Sequence, residues 1–501
     1  MQLSKRKKKK NNTKRLHLIK TLLLIFNVLS IYLSIAFKDL LVNPVYKACY
    51  KKLKENHFFR NDNEICDKFD PIFLMAERFK RDPFTICKNE ESNHICYLNS
   101  KFIKNNKIYK SKKGIICLSQ NIILNPMKSQ QTNYIYNGPI DKFNKGAPIL
   151  SKGFFNMECK NHRNFRGFNK IYKNYLDSWD YEYKKENEQI KELSPGKTVL
   201  FISRNQDSPN LFHGISELIN AIGIMYLFNL KPENIQIIFL ESMFLKNDPL
   251  YELYNNIISR GGKPIYIRDL NQKYHITSSI HIPINWDSPL FIHLKIPRGY
   301  PDCKLSTQTY NIFNNLITKY LNISDFKDSF ISDNNTFYYP ESIIQKSKSI
   351  FKFNKLLTIQ WRKVWPKGRK FQQRILGNGL EIADKLALIL HKKNYLIRLV
   401  DTATLSIKEQ ISIMKKTDYF IGIHGAGLSL SIFMPKQSIL HEILPKGNNK
   451  DPIVMSSLSG HKTYSDILKS ESKIINDNEF IFFDIPEVIK SVLEHIKENN
   501  I

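Results

Sequence analysis

The sequence lacks three patterns that would point to a metal or redox site. It has no Cys-x-x-Cys pair, no cysteine between residues 304 and 501, and no Asp-x-Asp triplet. The missing Cys pairs argue against zinc ribbons and thioredoxin-like redox sites. A metal ion bridged by two carboxylates of an Asp-x-Asp triplet has no obvious site either.

Acidic residues are scarce relative to basic ones. Against 46 Asp and Glu stand 76 Lys and Arg, which gives a formal charge of +30. Such an excess favours anionic partners, among them nucleic acid and membranes. With 42% hydrophobic residues in 501, disorder throughout is excluded. Taking about 150 residues per domain, the length predicts two to three folding units.

The amino end combines a basic block with an apolar segment. Nine Lys and Arg lie within residues 1–20, and residues 21–37 carry no charge. With residues 16–19 the apolar segment reaches the length of about 20 that spans a bilayer. We predict a cytoplasmic basic tail over 1–15 and a signal-anchor transmembrane helix over 16–37, with the remainder lumenal by the positive-inside rule.

Two alternative interpretations of this end fit the sequence less well. A cleaved signal peptide fits less well, since residues 34–37, Ser-Ile-Ala-Phe, are a poor small-x-small cleavage site. A nuclear signal or nucleic-acid arm is disfavoured by the attached apolar segment. Removing the nine charges of residues 1–20 from +30 still leaves about +21 on the rest of the chain.

Cysteine placement indicates an oxidising compartment. Six of the seven cysteines lie within residues 49–159 and the seventh is Cys303. We therefore expect disulfides in the membrane-proximal half, with one thiol left free or paired outside the chain. Glycosylation triplets at Asn322 and Asn334 fit a lumenal location, although an Asn-rich chain also makes such triplets by chance.

The hydrophobic pattern divides the lumenal part into regions. Polar residues 38–110 are interpreted as a stem and cysteine-containing region. From about residue 195, short β-branched runs alternate with amphipathic ones, as in βαβ units. The pattern predicts an amino-terminal α/β unit over 111–345, a carboxyl-terminal one over 346–485 and a closing helix over 486–501, with a cleft between the two units.

Individual elements are predicted within these units. The predicted strands are 197–203, 235–240, 264–268, 356–360, 395–400, 418–423 and 438–444. The predicted helices are 210–228, 249–260, 380–392 and 406–416, the last opened by a capping box of Ser406 and Glu409. The closing helix is amphipathic, with Val488, Ile489, Val492, Leu493 and Ile496 at helical spacing.

The most informative stretch is 418–435, where a hydrophobic strand runs through His424, Gly425, Ala426 and Gly427 into a short helix. Free N–H groups at that helix start suit a phosphate. The His424 imidazole can donate to a diphosphate oxygen. Taken alone, the Gly-x-Gly pattern is more often a tight turn without a ligand.

Residues 421–428, Ile-Gly-Ile-His-Gly-Ala-Gly-Leu, with Phe433-Met434-Pro435 and residues 442–445, Glu-Ile-Leu-Pro, resemble the signature of glycosyltransferase family 61. The chain departs from it at Lys436, where glycine is usual. The resemblance covers roughly residues 195–450. It implies two facing Rossmann-like domains of the GT-B type behind a single transmembrane helix and stem, in a type II enzyme of the Golgi or endoplasmic reticulum membrane.

Two further segments agree with that resemblance. Residues 210–213, Asn-Leu-Phe-His, are similar to those of plant-type core β-1,2-xylosyltransferases, with Glu217 where those enzymes have Asp. Trp361-Arg362 and Arg374-Ile375-Leu376 resemble another family segment, with Gly377 where Asn is usual.

The resemblance implies roles for these residues. Glu217 is expected to be the general base of an inverting transfer, and His213 shares its helical face. The alternative is that His213 and Glu217 pair with each other or solvate a helix start. Arg362 and Arg374 are expected on phosphate oxygens, although a strand-end packing pair and a surface salt bridge are the alternatives.

Three further residues complete the predicted site. Glu442 is expected to accept from ribose hydroxyls, or to make a structural hydrogen bond. Asn210 and Arg204 are expected to line the acceptor cleft.

The implied reaction is transfer of a sugar from a UDP-sugar donor to a glycoprotein, with no metal or cofactor and no nucleic acid. The closest motif similarity favours xylose transfer from UDP-xylose to the N-glycan core. The alternatives are a protein O-linked GlcNAc transferase using UDP-GlcNAc and a catalytically inactive lumenal carbohydrate-binding protein.

Overall fold

The structure is a computed structural model. It describes residues 51, 70–77, 84–89, 92–98, 102–104, 107–109, 115–130, 149–159, 162, 175–184, 189–203, 211–240, 250–282, 307–321, 323, 336–339, 354–361, 374–402, 405–444, 455–457, 459–475 and 478–499. The predicted tail and transmembrane helix, the asparagines of both glycosylation triplets, and Cys49, Cys66 and Cys303 lie outside these ranges. Among the described residues, no helix combines the length and apolar character needed to cross a bilayer.

The described residues form a mixed α/β fold with two large sheets. The strands of the amino-terminal half are β1 (Phe84–Lys88), β2 (Asn93–Leu98), β3 (Phe102–Lys104), β4 (Lys107–Tyr109), β5 (Ile115–Leu124), β6 (Ser129–Gln130), β7 (Ile149–Leu150), β8 (Phe155–Asn156), β9 (Trp179–Asp180), β10 (Lys191–Glu192), β11 (Thr198–Ile202), β12 (Ile235–Phe239), β13 (Ile265–Tyr266) and β14 (Tyr274–Ile282). Those of the carboxyl-terminal half are β15 (Thr336–Tyr339), β16 (Lys355–Gln360), β17 (Arg374–Leu376), β18 (Tyr395–Val400), β19 (Tyr419–Ile423), β20 (Ile439–Leu444), β21 (Lys462–Ile467), β22 (Ser470–Ile475) and β23 (Asn478–Phe483).

The helices are α1 (Pro71–Glu77), α2 (Leu211–Leu227), α3 (Tyr251–Leu253, continued by a π-helix Tyr254–Ile258), α4 (Gln308–Leu321), α5 (Gly379–Leu390), α6 (Ile407–Met414) and α7 (Ile485–Glu498). A 3-10 helix, Ala426–Phe433, follows β19 and is called the loop helix below.

The amino-terminal sheet has the order β1-β2-β5-β14-β11-β12-β13. Strand β11 lies parallel to both β12 and β14, so the chain runs to one side of β11 first and later returns to the other. The carboxyl end of β11 is therefore a topological switch point, where ligands bind in open α/β sheets. Strands β1 and β2, from the segment interpreted as a stem region, pair into this sheet through β5.

Helix α2 lies at the centre of this half. Its residues are apolar almost all round, as expected of a helix enclosed on every side. It packs on the sheet, on α1 and α4, and also against the loop helix of the other half. Contacts between the halves continue at α4, where Asn314 Nδ2 donates to the carbonyl oxygen of Ile432 at 3.0 Å.

The opposite face of the amino-terminal sheet is covered by short strands and aromatic side chains. Phe155 and Trp179 stack there with ring centroids 4.7 Å apart. Two disulfides secure this layer, Cys87–Cys159 and Cys96–Cys117. The expectation of disulfides in this half is confirmed for these four cysteines.

The carboxyl-terminal sheet has the order β15-β18-β16-β19-β20-β21, with all strands parallel except β15. Helices α5 and α7 pack on one face, and α6 and the loop helix on the other. Strand β16 has β18 on one side and β19 on the other, which makes its carboxyl end a second switch point. The predicted capping box is confirmed, because Ser406 Oγ accepts from Glu409 N and the Glu409 carboxylate accepts from Ser406 N.

Most predicted elements between residues 197 and 444 are confirmed within one or two residues, and the closing helix is confirmed as Ile485–Glu498. The strand predicted over 264–268 is wrong beyond Tyr266, since Ile267–Asp269 form a 3-10 turn. Strands β5 and β14 were not predicted. The domain boundaries themselves stay predictions.

Candidate functional site

The polar residues of the candidate site gather at the carboxyl ends of β16, β19 and β20. Strand β19 ends at Ile423, and His424 and Gly425 lead into the loop helix. The adjacent strand β16 ends at Gln360, and β20 carries Glu442. Because these parallel strands all end at the same edge, the switch point at β16 is bordered by side chains from three strands.

His424 and Glu442 form a close pair. His424 Nδ1 lies 2.5 Å from Glu442 Oε1, and Ser465 Oγ donates to Glu442 Oε2 at 3.3 Å. The Glu442 side chain is fully buried, whereas that of His424 is 14% exposed. A buried carboxylate needs such partners, and by accepting from Nδ1 it fixes the orientation of the imidazole ring. Of the two roles expected for Glu442, the structure shows the structural hydrogen bond, with His424 as its partner.

Gln360 explains why the loop needs glycine. A Cβ on Gly427 would lie 1.9 Å from Gln360 Nε2, and one on Gly422 would lie 3.1 Å from Gln360 Cβ. Gln360 is itself held in place, because its Nε2 donates to Thr402 Oγ1 at 2.9 Å. Sequence reasoning missed Gln360, although its position as the last residue of a parallel strand at the switch point is a usable signal.

The start of the loop helix supplies backbone donors. Leu428 N donates to the carbonyl oxygen of Gly425 at 3.0 Å, so the N–H groups of Ala426 and Gly427 precede the first intrahelical bond. Ser429 Oγ donates to the carbonyl oxygen of Ala426 and stabilises the turn. Together with the imidazole, these donors can bind an anion at this edge of the sheet.

The predicted catalytic residues lie on the neighbouring helix α2. Glu217 is 1% exposed, and its neighbours Ser216 and Asn220 are also buried. His213 lies in the first turn of α2, and its side chain is outside the described part of the structure. Since α2 packs against the loop helix, the helix of the predicted base and the loop of the predicted anion site are neighbours.

The other predicted site residues are placed only in part. Arg374 opens β17, which pairs with β23 outside the six-stranded sheet, and its side chain is not described. Arg204, Asn210 and Arg362 lie outside the described residues, as do Asn322 and Asn334. Their roles stay predictions.

The chain was compared with known proteins. A family model described as Glycosyltransferase 61 matches residues 293–440. That range includes β16, β18, β19 and the loop helix and ends two residues before Glu442, while α2 lies outside it. No curated protein matches the chain.

Proposed function

We propose that this chain, of which residues 293–440 match the model of glycosyltransferase family 61, is a glycosyltransferase that transfers a sugar from a UDP-sugar with inversion. In this proposal the two sheet-based halves are the facing Rossmann-like units of a GT-B enzyme. The observation that carries this proposal is the His424–Glu442 pair at the switch point of the carboxyl-terminal sheet. It adjoins Gly425, Ala426 and Gly427, which together with His424 are called the glycine loop below.

The donor diphosphate binds at this edge in the proposal. When the bond to the sugar breaks, negative charge develops on the leaving diphosphate. His424, held at Nδ1 by Glu442, has Nε2 on the opposite edge of its ring, and as an imidazolium it donates from Nδ1 to Glu442 and from Nε2 to the diphosphate. The N–H groups of Ala426 and Gly427 donate from the loop. Preorganised donors of this kind stabilise developing charge. Arg362 and Arg374 add guanidinium donors, so that the transfer requires no metal in the donor site.

The acceptor half of the reaction is assigned to α2. In an inverting transfer, the acceptor oxygen attacks the anomeric carbon as the bond to the diphosphate breaks, and the acceptor proton passes to a carboxylate base. Glu217 is the proposed base, with His213 one turn earlier on the same helix. Asn210 and Arg204 precede α2 and contact the acceptor in this proposal.

Two features of the sequence support the proposed donor sugar and the proposed cellular compartment. The similarity of residues 210–217 to core β-1,2-xylosyltransferases supports xylose transfer from UDP-xylose to the N-glycan core. The basic tail and apolar segment over 1–37 support a single-pass type II location in the Golgi or endoplasmic reticulum membrane, with the catalytic part lumenal. The His424–Leu428 block also occurs in lumenal O-GlcNAc transferases and keeps UDP-GlcNAc as the second donor.

The test is a transfer assay of the full chain with a panel of UDP-sugars and with N-glycan and protein acceptors. Turnover with UDP-xylose alone supports the proposal, and turnover with UDP-GlcNAc alone selects the O-GlcNAc alternative. Donor binding without turnover supports the inactive carbohydrate-binding alternative. If no UDP-sugar binds or reacts, the proposed donor site is wrong.

A matched pair of variants tests the site. His424→Ala should lower kcat/KM at least about tenfold, or roughly 1.4 kcal/mol in the transition state. His391→Ala is the control, because His391 lies in a 3-10 turn just before β18, at the amino-terminal edge of the same sheet. Equal losses in the two variants would count against a role for His424 in the donor site.

A further inference from the structure

A second cluster of polar side chains lies on the opposite face of the same sheet. Neighbouring residues of a strand point to opposite faces, so that Glu442 faces the loop helix while His441 faces α7. There His441 meets Asp466 of β21 and two residues of α7, Ser491 and His495. None of these four residues has a part in the proposed transfer.

The four side chains converge on one point. Asp466 Oδ2 lies 3.1 Å from His441 Nε2 and 2.8 Å from His495 Nε2. Ser491 Oγ lies 3.3 Å from His441 Nε2 and 3.2 Å from His495 Nε2, and it also donates to Asp466 Oδ2. Zn²⁺ with Zn–N bonds of about 2.0–2.1 Å places tetrahedral ligands about 3.3 Å from one another. The four distances that involve the imidazole nitrogens are within about 0.5 Å of that value, whereas Ser491 Oγ and Asp466 Oδ2 lie closer together. The ligand atoms of His441, Asp466 and His495 all lie within 4.8 Å of one another.

Both imidazoles are held by groups behind them. His441 Nδ1 lies 3.0 Å from Tyr419 OH, and the His495 ring stacks on Tyr464 with centroids 3.6 Å apart. Metal-binding histidines typically bond through the second ring nitrogen to an outer partner that fixes ring orientation and tautomer. His441 has such a partner in Tyr419, and its Nε2 is thereby directed at the cluster.

The surroundings also suit a bound cation. His441 is fully buried and His495 nearly so, whereas the Asp466 side chain is 28% exposed. The cluster is thus closed on the side of the sheet and open to solvent at the carboxylate. Two imidazoles and a carboxylate form a donor set that Zn²⁺ accepts readily.

We propose that His441, Asp466 and His495 bind one Zn²⁺, with Ser491 Oγ or a water as fourth ligand. The ion has a structural role: it joins the closing helix α7 to β20 and β21, and so supports the strand that carries Glu442. It lies on the other face of the sheet from the proposed donor site. The metal-free transfer proposed above is therefore unaffected, and the zinc site does not depend on it.

The test measures metal rather than activity. The full chain, purified without a histidine tag and treated with a chelator, is titrated with Zn²⁺, and bound zinc is counted by mass spectrometry. We expect one zinc per chain and a melting temperature that rises with Zn²⁺ concentration. Asp466→Asn should lower the affinity by more than about 100-fold, since even outer partners of metal ligands typically contribute 10–100-fold. His391→Gln, a histidine remote from the cluster, should bind like the wild type.

Cobalt provides a second readout that needs no variant. Co²⁺ added to the chelator-treated wild type should give the intense visible absorption of a tetrahedral ion, and one equivalent of Zn²⁺ should abolish it. A wild-type chain that binds no zinc and leaves the weak spectrum of hydrated Co²⁺ unchanged would overturn the proposal. The four side chains would then be a hydrogen-bonded link between α7 and the sheet.

Discussion

The two large sheets of this protein have similar strand topology but are covered differently. Each places an early parallel strand, β11 or β16, between neighbours on either side. The carboxyl-terminal sheet is covered by helices on both faces. The amino-terminal sheet has helices on one face and, on the other, an aromatic layer held by two disulfides. Disulfides thus stabilise the covering layer of one sheet, whereas amphipathic helices cover both faces of the other.

The sheets also differ in how they use buried histidine. Beneath the aromatic layer, His94 stacks on Trp179 at 3.9 Å, and burial lowers the pKa of His94 to about 3. Burial, with the neighbouring His94, lowers the pKa of His281 well below its usual value. In the carboxyl-terminal half, His424 and His441 instead contact the carboxylates of Glu442 and Asp466. The amino-terminal half therefore packs these two imidazoles among aromatic rings, whereas two imidazoles of the carboxyl-terminal half contact carboxylates.

The largest expected effect concerns the disulfides. Replacing both Cys87 and Cys159 by serine should lower the free energy of unfolding of the amino-terminal half by about 4 kcal/mol, because this disulfide closes a long loop. Replacing Cys96 and Cys117 should lower it by about 3 kcal/mol, because that loop is shorter. Hydrogen exchange under urea should show lost protection in β5 and β8, with β16 and β18 unchanged. Equal losses in both sheets would mean that the halves unfold as one unit.

A smaller effect is expected from an added methyl group in the glycine loop. Gly427→Ala should cost up to about 3 kcal/mol through overpacking, since its Cβ would clash with Gln360, which is anchored to Thr402. Gly223→Ala in α2 is the control, because there the Cβ meets the flexible end of Met75 at 3.1 Å. Thermal unfolding and the transfer assay measure both variants. If the two variants lose the same stability, the packing around Gly427 is no more restrictive than the packing around Gly223.

The smallest expected effect is on pH dependence. The pKa of His94 in the folded chain, about 3, lies below its ordinary value of 6.5. The unfolded chain therefore binds the proton first as pH falls, so stability is full above pH 6.5 and declines toward pH 3. At about 1.4 kcal/mol per pH unit, His94 alone should account for a loss of about 2 kcal/mol at pH 5. Urea unfolding at pH 7 and pH 5 measures this loss in the free energy of unfolding. His94→Phe should reduce the difference between the two pH values. An unchanged difference would contradict a neutral His94.

Sequence periodicity predicted the elements that are stabilised locally. The capping box at Ser406 and the apolar stripe of α7 are each contained within a few consecutive residues, and both are confirmed. Strand β14 was missed because its buried positions include Ser279 and His281, which do not give an apolar pattern. These polar residues are accommodated by contact with each other and with the backbone of β5.

In the candidate site too, some residues were predicted from local sequence patterns and others were not. The sequence alone identified His424, the glycines and Glu442, because a strand, a glycine turn and a helix start are adjacent along the chain. Gln360 lies 67 residues before Gly427, and no local pattern connects them. The same holds for His441, Asp466 and His495, which come from two strands and a helix.

The sequence by itself thus determined the α/β class, most elements of the two βαβ series and the position of the glycine-containing turn at residues 424–427. These depend on periodicity and on short motifs that need no distant partner. Only the tertiary structure decided that Glu442 orients His424, that Gln360 excludes a side chain at Gly427 and that β1 and β2 join the first sheet. The physical reason is that parallel strands align residues far apart in the chain at one sheet edge, and that alternate residues of one strand serve opposite faces.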